Sequence, residues 1–191
     1  MSIQHSHEKI LETYTYNGAI VDVVAWDETI WCGKIGYAEN TVDEPNVDNI
    51  MTDYKRLSRS KANGKFNPVR NGCISVNYLS AEHSNGVMFG EMVRTAEQPE
   101  GFDILNVPAT QYIRILINSE TAKALGKEPW CGGIPPYEWV YELLAPHFGY
   151  KPGADILPII EYYGHYAPGG PKTYNNKLCY LYVPIEAVRE L

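Results

Sequence analysis

Apolar and polar positions along the chain change period several times, and each change marks an element. Residues 19–26, AIVDVVAW, alternate loosely and predict a strand. Residues 29–40, TIWCGKIGYAEN, are β-branched and aromatic with mixed faces and predict a better one. Over 43–61 the period shifts: Val47, Ile50, Met51, Tyr54 and Leu57 recur at spacings of three and four, one apolar stripe of an amphipathic helix with Asn46 as its N-cap. ANGKFNPVRNG breaks it, and the strands CISVNYLS and VMFGEMVRTAE follow, joined by the turn-like AEHSNG.

After QPEG the pattern restarts. Residues 102–118, FDILNVPATQYIRILIN, read as strand, with Pro108 confined to an edge or a bend. SETAKALG offers one or two helical turns, and KEPWCGG is a loop. Residues 134–150, IPPYEWVYELLAPHFGY, predict a second main helix: two prolines suit its first turn, Tyr137, Val140, Tyr141 and Leu144 make its stripe, and Pro146 and Gly149 end it. The strand LPIIEYYGHY, a Gly/Pro loop and the strand KLCYLYVPIE close the chain. The segment HEKILETYTY near the start reads as a short helix or an ordered tail.

The order strand–helix–strand–strand thus occurs twice, over 29–98 and 99–191, after an N-terminal extension of residues 1–28. One such unit cannot bury both faces of its strands. Two together predict a single α+β domain, an antiparallel sheet backed by two main helices, with a ligand pocket at the centre.

Composition narrows the function classes. The 191 residues are 45% hydrophobic, enough for a real core. The charge of −7 argues against a general nucleic-acid binder. No apolar run approaches the ~20 residues that span a bilayer, and MSIQHSHEKI lacks the apolar centre of a signal peptide. Cys32, Cys73, Cys131 and Cys179 are scattered, which fits reduced thiols in a cytoplasmic protein. Fifteen tyrosines and four tryptophans accompany only four phenylalanines, so amphipathic rings dominate, as in a pocket whose ring edges stay available; ordinary core packing explains the excess equally well.

The second half resembles the GyrI-like family, the AraC-type effector-binding domains. The likeness rests on NVPATQYIRI with Pro108, Ala109 and Tyr112, on WVYELLAPHFGY with Pro146, Gly149 and Tyr150, on LPIIEYY with Pro158, Glu161 and Tyr163, and on CYLYVPI with Pro184 and Ile185. It covers residues 100–186; the first half agrees in element order only. The resemblance implies a duplicated, SHS2-like fold around a pocket ringed with aromatics that holds a deep glutamate, often for bulky, planar, cationic drugs. No helix-turn-helix segment precedes the first repeat, so the chain looks like a stand-alone member. Some stand-alone members hydrolyse cyclopropane-bearing DNA-alkylating compounds.

Glu161 is the sharpest candidate. It interrupts an apolar, aromatic strand, where an uncompensated carboxylate is costly. With period two, Glu161, Tyr163 and His165 share one face and Ile160, Tyr162 and Gly164 the other. A carboxylate among rings can pair with a stacked cation or act in general acid–base catalysis. The alternative is a side chain that reaches solvent or pairs with a nearby Lys or Arg. Further ligand-binding candidates are Tyr112, Trp130 on a Gly-flanked loop, Trp139 on the second helix, and Tyr180 with Tyr182 on the last strand. Trp31 and Tyr78 would contribute from the first repeat. Glu91, in VMFGEMV, is expected to face solvent rather than to be a second acid of the site.

His5 and His7 make a His-x-His at the terminus that reads as a mobile tail rather than a metal site, His83, His147 and His165 lack ligand spacing to one another, and no phosphate loop or nucleophile elbow is present, so neither metal nor cofactor is expected. Two functions lead, ahead of a weaker third, a protein-binding regulator that uses the fold's outer surface. One is a module that binds hydrophobic aromatic small molecules. The other is a metal-independent hydrolase of cyclopropanoids, with Glu161 activating water and Tyr163 placing the substrate. The expected partners are small molecules and, at most, a second copy in a homodimer, with no nucleic acid and no membrane.

Overall fold

The computed structural model describes residues 7–38, 46–57, 61–76, 86–124, 140, 147–152, 158–169 and 177–187. Ten strands and two helices lie among them: β1 Glu8–Tyr16, β2 Ala19–Trp26, β3 Thr29–Tyr37, α1 Val47–Arg56, β4 Asn71–Ser75, β5 Gly86–Val93, β6 Asp103–Val107, β7 Thr110–Leu116, α2 Ser119–Ala124, β8 Tyr150–Pro152, β9 Ile160–Tyr166 and β10 Lys177–Ala187. All strand pairs are antiparallel, in the order β1-β2-β7-β10-β9-β4-β5-β3-β6, with β8 joined to β10. The class is α+β, as the two-period pattern predicts.

The first helix forms where its stripe places it. Asn46 caps it by accepting from the Asn49 amide at 3.0 Å, and Ile50 and Tyr54 are buried against the sheet. Val47, counted in the stripe, is exposed. The predicted second helix lies largely outside the described residues; Val140 is buried there, and its last residue, Tyr150, opens β8.

Two expectations are corrected. Residues 7–16 are neither helix nor tail but β1, hairpinned to β2 through Asn17 and Gly18 with φ of 48° and 90°. An Asn-Gly pair with both residues at positive φ is the two-residue turn whose twist suits a hairpin. Residues 102–118 are not one bent strand. They divide at Pro108, which offers no amide to a ladder, and the parts part company: β6 pairs with β3, and β7 lies between β2 and β10.

The sheet is curled. Trp26 on β2 and Trp31 on β3 both rest against Tyr162 on β9, with ring centroids 5.5 and 6.1 Å away. Each of these strands is three places from β9 in the sheet order, about 14 Å on a flat sheet, so the two wings must fold inward. The inner face is filled by Trp26, Trp31, Tyr112, Tyr162, Tyr182 and the aliphatic residues between them, all buried.

The outer face carries α1. Ile50 of α1 sits over Gly36 on β3. On the other wing Val140, Phe148 and Tyr150 cover Val21, Val23, Ile113, Ile115, Leu181 and Val183. Between these two covers runs the midline of the sheet, β4 against β9.

Candidate functional site

Register places Glu161 on the helix-bearing face at that midline. Directly opposed residues of antiparallel neighbours share a face. A single row runs Tyr14, Val21, Ile115, Leu181, Glu161, Cys73, Phe89, Lys34 across eight strands. Glu161 is its only carboxylate and stands at its centre. It is half-buried, as are Cys73 beside it and Cys179 on β10.

Tyr163, two residues along, donates its phenol to Glu161 Oε2 at 2.9 Å. Burial first, and then the charge of Glu161, hold that phenol far above its ordinary range, which keeps Tyr163 protonated as a donor to Glu161. No lysine or arginine among the described residues bonds or ion-pairs with Glu161. The nearest cation in its row, Lys34, is three strands away and is committed to Asp103 at 3.0 Å. The pairing with a protein cation that would make Glu161 a structural residue is therefore not made among the described residues.

The thiols report on the same carboxylate. Burial first and Glu161 second push both Cys73 and Cys179 from an ordinary value of 9.0 up to about 12. A shift of this size leaves roughly a thousandth of the usual thiolate at pH 8, and the thiolate is the nucleophile. Alkylation of Cys73 and Cys179 by iodoacetamide at pH 8 is expected to run at least a hundredfold below that of a free thiol, and to quicken in Glu161→Gln. Peptide mass mapping of the alkylated protein checks both. Ordinary reactivity at both positions would show that the carboxylate and the burial do not act on them.

The expected alternation fails at His165. β9 holds four residues from Tyr162 to His165 against three on β10 from Tyr180 to Leu178, a bulge that sets Tyr163 and Gly164 opposite Cys179. The extra residue turns His165 to the inner face, where it meets the Tyr182 hydroxyl at 2.9 Å and the Tyr180 ring at 4.8 Å. Gly164 permits this. A Cβ there would lie 2.1 Å from the Tyr162 ring.

The ring candidates divide between the faces. Trp31, Tyr112 and Tyr182 are fully buried on the inner face, and Tyr180 is half-buried beside them, so none shares a face with Glu161. Tyr78, Trp130 and Trp139 lie outside the described residues. The outer face instead has Phe89, set edge-on to Tyr54 of α1 with centroids 5.6 Å apart. Glu91 is corrected: it is 0% exposed, beneath α1, and accepts from the Tyr54 hydroxyl at 2.8 Å. A partly apolar strand flanked by a helix buries a carboxylate that the strand pattern alone leaves to solvent.

The inner face holds a polar cluster that the sequence reading missed. Arg114 on β7 donates to Glu8 Oε1 at 2.5 Å and to Asp22 Oδ2 at 2.5 Å, and all three side chains are buried. Glu8 Oε2 also accepts from Trp26 Nε1 at 2.8 Å and from the Tyr182 hydroxyl at 2.6 Å, and Asp22 accepts from Thr13. Burial alone would weaken the proton affinity of Arg114; the charge of Glu8 and the hold of Asp22 outweigh it and raise it. The signal was present in the chain: Asp22 interrupts AIVDVVAW and Arg114 interrupts YIRILIN as Glu161 interrupts PIIEYY.

Among the described residues no group of three His, Cys, Asp or Glu side chains converges as metal ligands, and no helix is long and apolar enough to cross a membrane. Among the described residues no disulfide joins Cys32, Cys73 or Cys179.

A curled antiparallel sheet with α1 on one face and a carboxylate at its midline is consistent with the GyrI-like, effector-binding fold implied by the second-half motifs. No family model matches the chain, and no curated protein matches it in sequence. Solved structures do. The chain is similar to the C-terminal domain of EcmrR, at 15% identity and a TM-score of 0.53 over 88% of this chain and 98% of that one. It is similar to SAV2435, whose structure is bound to tetraphenylphosphonium, at 12% identity and 0.50 over 92% and 94%. It is also similar to an integron cassette protein from the mobile metagenome of Vibrio cholerae, at 9% identity and 0.54 over 87% and 95%. At these identities what is shared is the fold.

Proposed function

We propose that this chain binds lipophilic, planar, cationic small molecules over the β4–β9 midline, with Glu161 as counter-charge. One observation carries the reading. Glu161 is a half-buried carboxylate at the centre of the sheet whose one bond within the described protein is to a neutral phenol. Two other buried carboxylates, Glu8 and Asp22, are answered by the Arg114 guanidinium; Glu91 also accepts from a phenol, Tyr54, but lies wholly buried beneath α1. A charge kept partly dry without a cation is compensated when a cationic ligand arrives. Phe89 and Tyr163 supply rings on the same face. A hydrophobic cation needs little desolvation, and its contact with an aromatic face adds ~0.5–2 kcal/mol. That a protein of this fold holds tetraphenylphosphonium supports the reading.

The strand order supports the duplication proposed for residues 29–98 and 99–191. β3, β5 and β4 of the first unit are met by β7, β10 and β9 of the second, with the β4–β9 seam between. β2 and β6, each lying just before a unit's first strand, cross to the opposite wing. Glu161 thus stands on the axis that would relate the two units.

Native mass spectrometry tests the function. Purified protein is incubated with tetraphenylphosphonium, with planar aromatic cations and with cyclopropane-bearing alkylators. One-to-one complexes with unchanged cations are expected. A product heavier by one water, formed in excess over protein, would replace binding with hydrolysis. Neither complex nor product would remove the site.

A further inference from the structure

We propose that Arg70 and Arg94 form a second site, separate from Glu161, that takes a small oxyanion of the phosphate or carboxylate type. The two guanidinium carbons lie 3.9 and 4.0 Å from the centroid of the Phe66 ring. Two groups so close to one ring must occupy opposite faces, so Phe66 is sandwiched and both guanidiniums are held in place about 8 Å apart. Stacking of this kind is characteristic of arginine and leaves its donor edge free.

Among the described residues the donor edges are left open. Arg70 commits Nη1, which faces His7 Nδ1 at 3.1 Å and Met92 sulfur at 3.9 Å. Arg94 commits Nη1 to the Lys65 carbonyl at 2.7 Å. Nε and Nη2 of both make no hydrogen bond to any described residue, and neither arginine ion-pairs with a described carboxylate. The Nε–Nη2 edge is the one that grips a carboxylate or phosphate with two parallel bonds. In a chain of net charge −7 an arginine has many acidic partners to choose from, so two adjacent guanidiniums without one among the described residues are unexpected.

The electrostatics agree with the geometry. Burial first, and the repulsion of Arg94 next among the causes that oppose its charge, hold Arg70 below the ordinary arginine range, although the nearby Tyr162 phenol works the other way. An anion lodged beside the ring edge would offset, by its opposite charge, both the cost of burying the guanidinium and the repulsion. The backbone that carries the pair is fixed: the Met92 amide donates to the Arg70 carbonyl at 2.8 Å, and the Arg94 amide to Gly64 at 3.0 Å. The site therefore asks for no rearrangement before binding, which favours affinity.

The test uses the whole chain labelled with nitrogen-15, following the guanidinium Nε–Hε resonances of Arg70 and Arg94. Inorganic phosphate and succinate are titrated separately, each against sodium chloride at matched ionic strength. Saturable shifts of both resonances by phosphate, succinate or both, absent with chloride, are expected, and the stronger of the two names the anion class. Arg94 is exposed, so Arg94→Gln should fold and weaken binding at least tenfold. Arg94→Lys, which keeps the charge and loses the fork, should weaken it less and guards against loss of folding in the first variant. Shifts no larger than those from chloride, or an unchanged response in Arg94→Gln, would overturn the proposal.

Discussion

Arg114→Met should cost about 3–5 kcal/mol of stability, the usual result of removing one partner from a buried ion pair. The size follows from what is left behind. Glu8 and Asp22 would remain in the inner core, each stripped of its only cationic partner among the described residues. Trp26, Tyr182 and Thr13 would still donate to them, but three neutral donors do not neutralise two charges. The damage would spread along the fold, because the cluster joins β1 and β2 to β7 and β10. Arg114→Lys should cost less than Met yet remain well short of wild type, since a point charge cannot fork to two carboxylates. Removing all three charges together, as Glu8→Gln, Asp22→Asn and Arg114→Met, should recover part of the loss. Urea denaturation of the four proteins provides the comparison. A loss below 1 kcal/mol in Arg114→Met would show that the carboxylates find water or protons at little cost.

Glu161→Gln should weaken binding of tetraphenylphosphonium by about a hundredfold, close to 2.7 kcal/mol. The substitution keeps shape and volume and removes the charge. Tyr163 can still donate to the amide oxygen, so the local structure is retained. A neutral aromatic compound of similar size should bind both proteins alike, because only the cation draws on the carboxylate. Selectivity for cations over neutral analogues is therefore the quantity that collapses, and competition titrations followed by intrinsic fluorescence measure it. Equal losses for charged and neutral compounds would assign Glu161 to the fold of the pocket rather than to the recognition of charge.

Much of this architecture was legible in the chain. Period-two runs gave β2, β3, β5, β9 and β10, and the three-and-four spacing with Asn46 gave α1. Local rules failed where a nonlocal cause or an overlooked turn decided the outcome. β1 lacks a clean alternation because it lies at the sheet edge, and the Asn17-Gly18 turn that fixes it was the signal to weigh. Glu161 was found because a carboxylate interrupts an apolar strand, and its face at the sheet centre could be expected from the order of elements. Which rings accompany it could not. Trp31, Tyr112 and Tyr182 are as aromatic as any pocket residue, but register alone sends them to the other face. His165 shows the limit most plainly: one extra residue in β9 reverses every assignment beyond it. Asp22 and Arg114 obeyed the rule that singled out Glu161 and differ only in having found each other.

The central claim is that a cationic ligand sits on the helix-bearing face at Glu161, and a crystal structure of the protein with bound tetraphenylphosphonium tests it most directly. The account predicts the phosphorus beside the Glu161 carboxylate, over the β4–β9 seam, with a ring of that face within about 6 Å. Ligand lodged instead among Trp26, Tyr112 and Tyr182 on the inner face, with Glu161 untouched, would contradict it.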